Sequence, residues 1–182
     1  HIAANYISHP GIKLPYLCLV VSGGHSHIVE VRDYTKYHVI GRTRDDAAGE
    51  CFDKVARTLG YEYPGGKYID SASKLGNPDA FKLPKPKVQG SEFDFSFSGL
   101  KTAVINTVHN AAQKGEIINR EDMAASFQRT ISEILVEKTM KAAEEYGVLF
   151  IPGLELTTAE EVHVQCLFPY VENALEFDKL VY

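Results

Sequence analysis

The stretch Leu17-Cys18-Leu19-Val20-Val21-Ser22-Gly23-Gly24-His25-Ser26-His27-Ile28-Val29-Glu30-Val31 decides how the rest of the chain is read. It opens as an unbroken apolar run of strand length, breaks at Ser-Gly-Gly, and resumes with Ile28, Val29 and Val31. That pattern predicts two strands joined by a tight glycine turn. Adjacent glycines permit backbone conformations closed to other residues and let a ligand approach the main chain, so the turn's N–H groups can face an anion. An ordinary hairpin turn has the same signature, and the remainder of the chain has to separate the two readings.

Working outward, Tyr37 to Gly41 reads as a third short strand. Asp45 then stands where an N-cap belongs, and Ala48, Phe52, Val55 and Leu59 follow at the spacing of one buried helix stripe, with Gly60 as a stop. The other side of that helix carries Asp46, Glu50 and Asp53 at i, i+4 and i+7, a row of carboxylates that a solvated face would also show. Tyr63-Pro64-Gly65-Gly66 makes a second glycine turn. It leads into a short helix with Tyr68, Ile69, Ala72 and Leu75, and Asp70 lies one turn into it. Upstream, His1 to Ser8 reads as a helix end stopped by His9-Pro10-Gly11.

Asn77 to Asp94 holds prolines at 78, 84 and 86 and lysines at 82, 85 and 87, which predicts a long exposed loop. Phe93, Phe95 and Phe97 alternate at its end and anchor it to the core. A helix with Phe97, Leu100, Val104 and Val108 on one face follows. The longest helix starts at Asn119, a cap with Asp122 three residues on, and holds Phe127, Ile131, Leu135, Thr139 and Ala142 on one face as far as Gly147. After it the character changes: strands at Val148–Ile151 and Val162–Phe168 and a helix at Val171–Leu180 predict a β-β-α unit.

The chain has 182 residues, 45% of them apolar and 24% charged, values ordinary for a globular protein with a real core. A net charge of −5 gives no overall attraction to nucleic acid or to an acidic membrane, so any grip on phosphate has to be local. Three cysteines without CxxC spacing argue against a disulfide framework, which points to a reducing cytoplasm. No apolar run is long enough to span a membrane, so no membrane partner is expected. The start at His1 rather than Met reads as a piece of a longer protein.

With these residues in view the chain resembles the TsaD family, the tRNA threonylcarbamoyladenosine transferases once labelled glycoproteases. The resemblance rests on Val20-Val21-Ser22-Gly23-Gly24-His25, Asp45-Asp46-Ala47-Ala48-Gly49-Glu50-Cys51-Phe52-Asp53-Lys54, Tyr63-Pro64-Gly65-Gly66 and Phe95-Ser96-Phe97-Ser98-Gly99-Leu100-Lys101, in the family's order. It implies an α/β fold: a partial actin-like ATPase, ribonuclease H-like lobe with a mixed sheet and flanking helices over residues 1–147. It implies that Val20, Val21, Ser22, Gly23 and Gly24 hold threonylcarbamoyl-adenylate, and that Asp53, Gly66 and Asp70 contact the same adenylate or nucleotide. His1 resembles the second histidine of the family's His-x-x-x-His, which holds one iron or zinc ion; the first histidine is absent. Also absent are the N-terminal lobe and the late Gly-Gly-Val-Ala-Asn-Ser segment with its distal aspartate. A lobe that keeps the fold without the activity is therefore expected. The implied partners are threonylcarbamoyl-adenylate, tRNA and bacterial proteins of the same pathway, with a homo-oligomer formed through the broken cleft.

Residues 148–182 are instead similar to a segment of PHP-domain metal-dependent phosphoesterases, in which Glu155 and His163 match metal ligands. Two ligands do not hold a catalytic metal. The expectation is a junction near Ala143 to Val148 between pieces of unrelated proteins, with a nucleotide-binding or inert chimeric lobe as the alternative to an enzyme.

Overall fold

The structure is a computed structural model and describes residues 2–4, 6, 10–148, 153–157 and 163–167. Strands β1 (Tyr16–Val21), β2 (Ser26–Asp33) and β3 (Lys36–Arg42) follow one another in a three-stranded sheet in that order. Tight connections at residues 22–25 and 34–35 make each neighbouring pair a hairpin, so the strands alternate in direction. Parallel pairing is confined, among the described residues, to a single bridge between Thr43 and Phe95, so the mixed sheet expected from the sequence is here a meander with one parallel contact. Among the described residues four helices complete the α/β architecture: α1 (Ala48–Thr58), α2 (Gly66–Ser73), α3 (Ser98–Gln113) and α4 (Arg120–Glu145). A short 3₁₀ turn, Ile2–Ala4, lies within the segment read as a helix end; of the rest of that segment only Tyr6, which is helical, is among the described residues.

The chain divides into two compact units, one drawn from His1–Cys18, Glu30–His38 and Ala143–Tyr182, the other from Leu19–Val29 and Val39–Ala142. The second unit holds the main core. Ile28, Cys51, Val55, Phe95, Phe97, Leu100, Val104, Met123 and Phe127 are fully buried there. Helix α1 packs on both α2 and α3. Phe52 meets Phe127 edge to face with ring centroids 5.0 Å apart, an arrangement in which the positive ring edge faces the negative π cloud. The predicted stripe of α4 is largely realised, with Phe127, Ile131, Thr139 and Ala142 buried. Asn119 caps that helix as expected, its Oδ1 accepting the Asp122 N–H at 2.9 Å. Phe95 and Phe97 anchor the long loop, whereas Leu75 lies beyond the end of α2 and is 82% exposed.

Asp45 differs from its expected role. The N-cap position of α1 is occupied by Ala47, which has no side-chain oxygen to offer. Asp45 instead reaches across 52 residues to start α3: Oδ1 accepts the N–H groups of Phe97 (2.8 Å) and Ser98 (3.2 Å), and Oδ2 the hydroxyls of Ser96 (2.6 Å) and Ser98 (2.7 Å). Burial alone would raise the pKa of Asp45, but these four donors hold it below the ordinary carboxylate value. A cap borrowed from far along the chain leaves no local trace in the sequence.

In the first unit, Tyr6 meets Tyr16 and Tyr34 edge to face, with centroids 6.3 and 4.8 Å apart. Strands β4 (Gly153–Thr157) and β5 (His163–Leu167) pair antiparallel, with Glu155 opposite Gln165 and Thr157 opposite His163. The alternation Leu154-Glu155-Leu156-Thr157 finds its partner in β5, which lies within the strand expected at Val162–Phe168. The rest of the 148–151 segment and the helix at 171–180 lie outside the described residues.

Candidate functional site: two glycine turns on one helix face

Val20 and Val21 end β1, and Val21 is 42% exposed at the lip of the first turn. The Ser22 N–H donates to the His25 carbonyl at 2.8 Å and closes the hairpin. The N–H groups of Gly24 (3.3 Å) and His25 (3.0 Å) converge on the Ser22 hydroxyl oxygen. The expected anion cradle is therefore occupied by the protein's own oxygen, a local side-chain turn of the kind serine commonly makes. Nor are Gly23 and Gly24 in the left-handed region that only glycine enters cheaply; the positive-φ glycines are 60, 90, 115 and 147. What these two glycines provide is room: a Cβ added at either would meet nothing within 4 Å.

The turn sits against the start of α1. The Gly49 N–H donates to the Ser22 carbonyl at 3.1 Å, and the Ala48 N–H to the buried Ser26 hydroxyl at 2.9 Å. Glu50 reaches back to the Ala47 N–H at 3.4 Å. These bonds satisfy donors that the first helical turn leaves without partners. Gly49 is required by proximity, because a Cβ there would lie 2.8 Å from the Gly23 N and Cα and the Ser22 carbonyl oxygen.

The second turn meets the same helix further along. Asp53 Oδ1 accepts the Gly65 N–H at 2.7 Å, and a Cβ on Gly65 would lie 2.3 Å from the Ala56 Cβ. Gly49, Asp53 and Ala56 stand at i, i+4 and i+7, so both turns abut one face of α1. Four residues of helix separate their contacts, about 6 Å along the axis. Gly66, the first residue of α2, again has open space where a Cβ would be. Asp70 follows one turn later on the same side of α2; its Oδ1 accepts the Gln128 side-chain amide (3.2 Å) and its Oδ2 pairs with Lys74 (2.9 Å).

The row of three acids is not one face of a helix. Asp46 precedes α1 and is bonded to Lys54 (2.8 Å) and Lys101 (2.6 Å), while Glu50 pairs with Lys54 at 2.7 Å. Burial would raise the pKa of Asp46, but the two ammonium groups hold it low. Of the three carboxylates only Asp53 turns to a glycine turn, accepting the Gly65 N–H with its Oδ1. The small residues Gly49 and Gly65 and the buried Ser26 escaped the sequence reading of the site, although the first two lie inside the quoted motifs. Cys51, buried nearby, has its thiol pushed up to about 12, first by burial and then by Asp46, and is no nucleophile.

His1 lies outside the described residues. Glu155 and His163 fall at diagonal register positions of the β4–β5 pair. Among the described residues no group of three or more His, Cys, Asp or Glu side chains is close enough to hold a metal, and no helix is long and apolar enough to cross a membrane.

A family model described as "TsaD: tRNA N6-adenosine threonylcarbamoyltransferase" matches residues 1–176. A Desulfitobacterium hafniense (strain Y51) protein named tRNA N6-adenosine threonylcarbamoyltransferase is 55% identical over 142 residues, 78% of this chain and 42% of that relative. A protein of the same name from Clostridium botulinum (strain 657 / Type Ba4) is 54% identical over 142 residues, with the same coverage. Another from Clostridioides difficile (strain 630) is 48% identical over 155 residues, 84% of this chain and 46% of that relative. The chain thus spans less than half the length of these relatives. With one family model covering residues 1–176, and with the motifs that build both turns falling inside it, the chain belongs to the TsaD family.

Proposed function

We propose that this chain is the adenylate-binding part of a transferase that moves a threonylcarbamoyl group from threonylcarbamoyl-adenylate to N6 of an adenosine in tRNA. The observation that carries the reading is the placement of both glycine turns on one face of α1, each with its second glycine open to a ligand. A phosphate oxygen that displaced the Ser22 hydroxyl would meet the N–H groups of Gly24 and His25, and the Asp53 and Asp70 carboxylates suit ribose hydroxyls. In the reaction the adenosine N6 amine bonds to the carbamoyl carbon, the bond from that carbon to the phosphate oxygen breaks, AMP leaves, and N6 loses one proton. Donors aimed at the phosphate stabilise the charge that develops on the leaving group.

The family resemblance also implies an iron or zinc ion, for which His1 would supply one imidazole. The described residues offer no complete ligand set, so no step of this reading runs through the metal. The boundary at residue 147 is kept as part of the proposal, and Glu155 and His163 take no role in it. The test is calorimetric titration with AMP and with a non-hydrolysable threonylcarbamoyl-adenylate analogue. Binding that is lost in Asp53→Ala with the fold retained supports the reading; absence of binding to both ligands defeats it.

A further inference from the structure

His25 and His27 stand at i and i+2 of the first hairpin, with ring centroids 5.4 Å apart and planes at 70°. His25 is exposed and His27 half-buried, and His27 lies within electrostatic reach of Arg42 on the neighbouring strand. The strands are locked there by the Thr43 N–H, which donates to the Ser26 carbonyl at 2.9 Å. Arg42 is exposed, and its guanidinium has no acid partner among the described residues. It lines a cleft of about 340 Å³ with Val39, Ile40, Gly41, Arg44 and Asp94. Asp94 is the acid of that cleft, and it is buried and committed: Oδ1 accepts the Arg42 N–H at 2.9 Å and Oδ2 the Arg44 guanidinium. Burial would raise its pKa, but these bonds and one from Ser91 hold it low, so it stays a fixed counter-charge, bonded to the Arg44 guanidinium.

From these neighbours we infer that His25, His27 and Arg42 form a phosphate-binding stripe, running from the first glycine turn to the cleft, that grips the sugar-phosphate backbone of the RNA substrate. The inference rests on the proposed function for the identity of the RNA. Its own basis is chemical. A chain of net charge −5 can hold a polyanion only through a local cationic surface, and a guanidinium with two imidazole N–H donors offers charge and hydrogen bonds to phosphate oxygens. Burial is the chief cause that lowers the pKa of His27, with His25 and Arg42 adding to it, so that imidazole acts as a neutral donor. Arg42 therefore supplies the salt-sensitive part of the grip. The stripe positions RNA beside the adenylate turn and leaves the nucleotide to the glycines.

The test uses the whole chain, a short RNA stem-loop with an unpaired adenosine, and AMP as the nucleotide probe. Fluorescence anisotropy across a salt series reads RNA affinity, and calorimetry reads AMP. Arg42→Gln weakens RNA about fivefold and flattens the slope of log affinity against log salt by about 0.9, the loss of one phosphate contact. The AMP affinity of that variant is unchanged, and His27→Gln weakens RNA without changing the salt slope. Arg42 is exposed and its backbone bonds survive the substitution, and a circular dichroism spectrum confirms the fold. If RNA binding and its slope are untouched by Arg42→Gln, or if the chain binds no RNA, the stripe is refuted. If Arg42→Gln weakens AMP and spares RNA, the phosphate belongs to the nucleotide and the RNA assignment falls. RNA binding that depends on Arg42 in a chain that binds no AMP upholds the stripe and refutes the adenylate reading instead.

Discussion

Replacing Gly66 by alanine moves stability and ligand affinity in opposite directions. Gly66 opens α2, its φ lies outside the left-handed region, and an added methyl would meet nothing within 4 Å. Folding therefore gains about 0.4–1 kcal/mol, because alanine restricts the unfolded chain more than glycine does. For a domain of this size that is a rise of about 1–4 °C in the unfolding midpoint. The adenylate, in the proposed reading, rests on the bare Cα. A methyl placed in that contact costs about 1–3 kcal/mol, the usual penalty of overfilling a packed site. That corresponds to a loss of about 5-fold to 150-fold in affinity. Differential scanning calorimetry and a titration with AMP on the same preparation read both quantities. An unchanged AMP affinity, or affinity and stability falling together, would refute the argument that this glycine exists for ligand space.

Gly65→Ala is the matched contrast: its methyl would sit 2.3 Å from the Ala56 Cβ, so the variant loses about 1–3 kcal/mol in a urea titration. Asp45→Ala, which removes the acceptor of four hydrogen bonds at the start of α3, costs about 2 kcal/mol by the same assay, and Asp45→Asn costs less. The folded-state pKa values of Asp45, Asp46 and Asp94 all lie below their ordinary 3.8. Their stabilisation is thus complete above that value and lost as pH falls through the lower folded values; an acid titration followed by circular dichroism checks the sign, and the acid side of the profile flattens in Asp45→Asn. Phe127→Ala, which empties a fully buried site against Phe52, lowers stability by about 3–5 kcal/mol in the same denaturant assay.

Local pattern carried much of the fold. The apolar run into Ser22, the stripe of α1, the Asn119 cap and the Phe127–Ala142 face each follow from spacing within one element, where periodicity and capping chemistry act over a few residues. The site was legible only as motifs. Ser22-Gly23-Gly24 and Gly65-Gly66 signal turns, but nothing in the spacing says that both meet one face of α1, since that depends on the Gly49–Ser22 and Asp53–Gly65 contacts between distant segments. The same limit explains Asp45, which the local pattern assigns to the nearest helix and the tertiary structure to α3. It also bears on the carboxylate row: the Glu50–Lys54 pair is local at i, i+4, whereas Lys101 reaches Asp46 only through the fold. Of the two reasons expected for the glycines of the turns, room at the main chain holds and special backbone conformation does not. A Cβ clash at residue 49 or 65, and its absence at 23, 24 and 66, are visible only in three dimensions.

The central claim is that the two glycine turns form one adenylate site, and amide chemical-shift mapping with AMP tests it most directly. The account predicts that the N–H signals of Gly24, His25, Gly65 and Gly66 shift together along a single binding curve, with Gly49 between the turns following them. Shifts confined to one turn, or two turns titrating with different affinities, would contradict it.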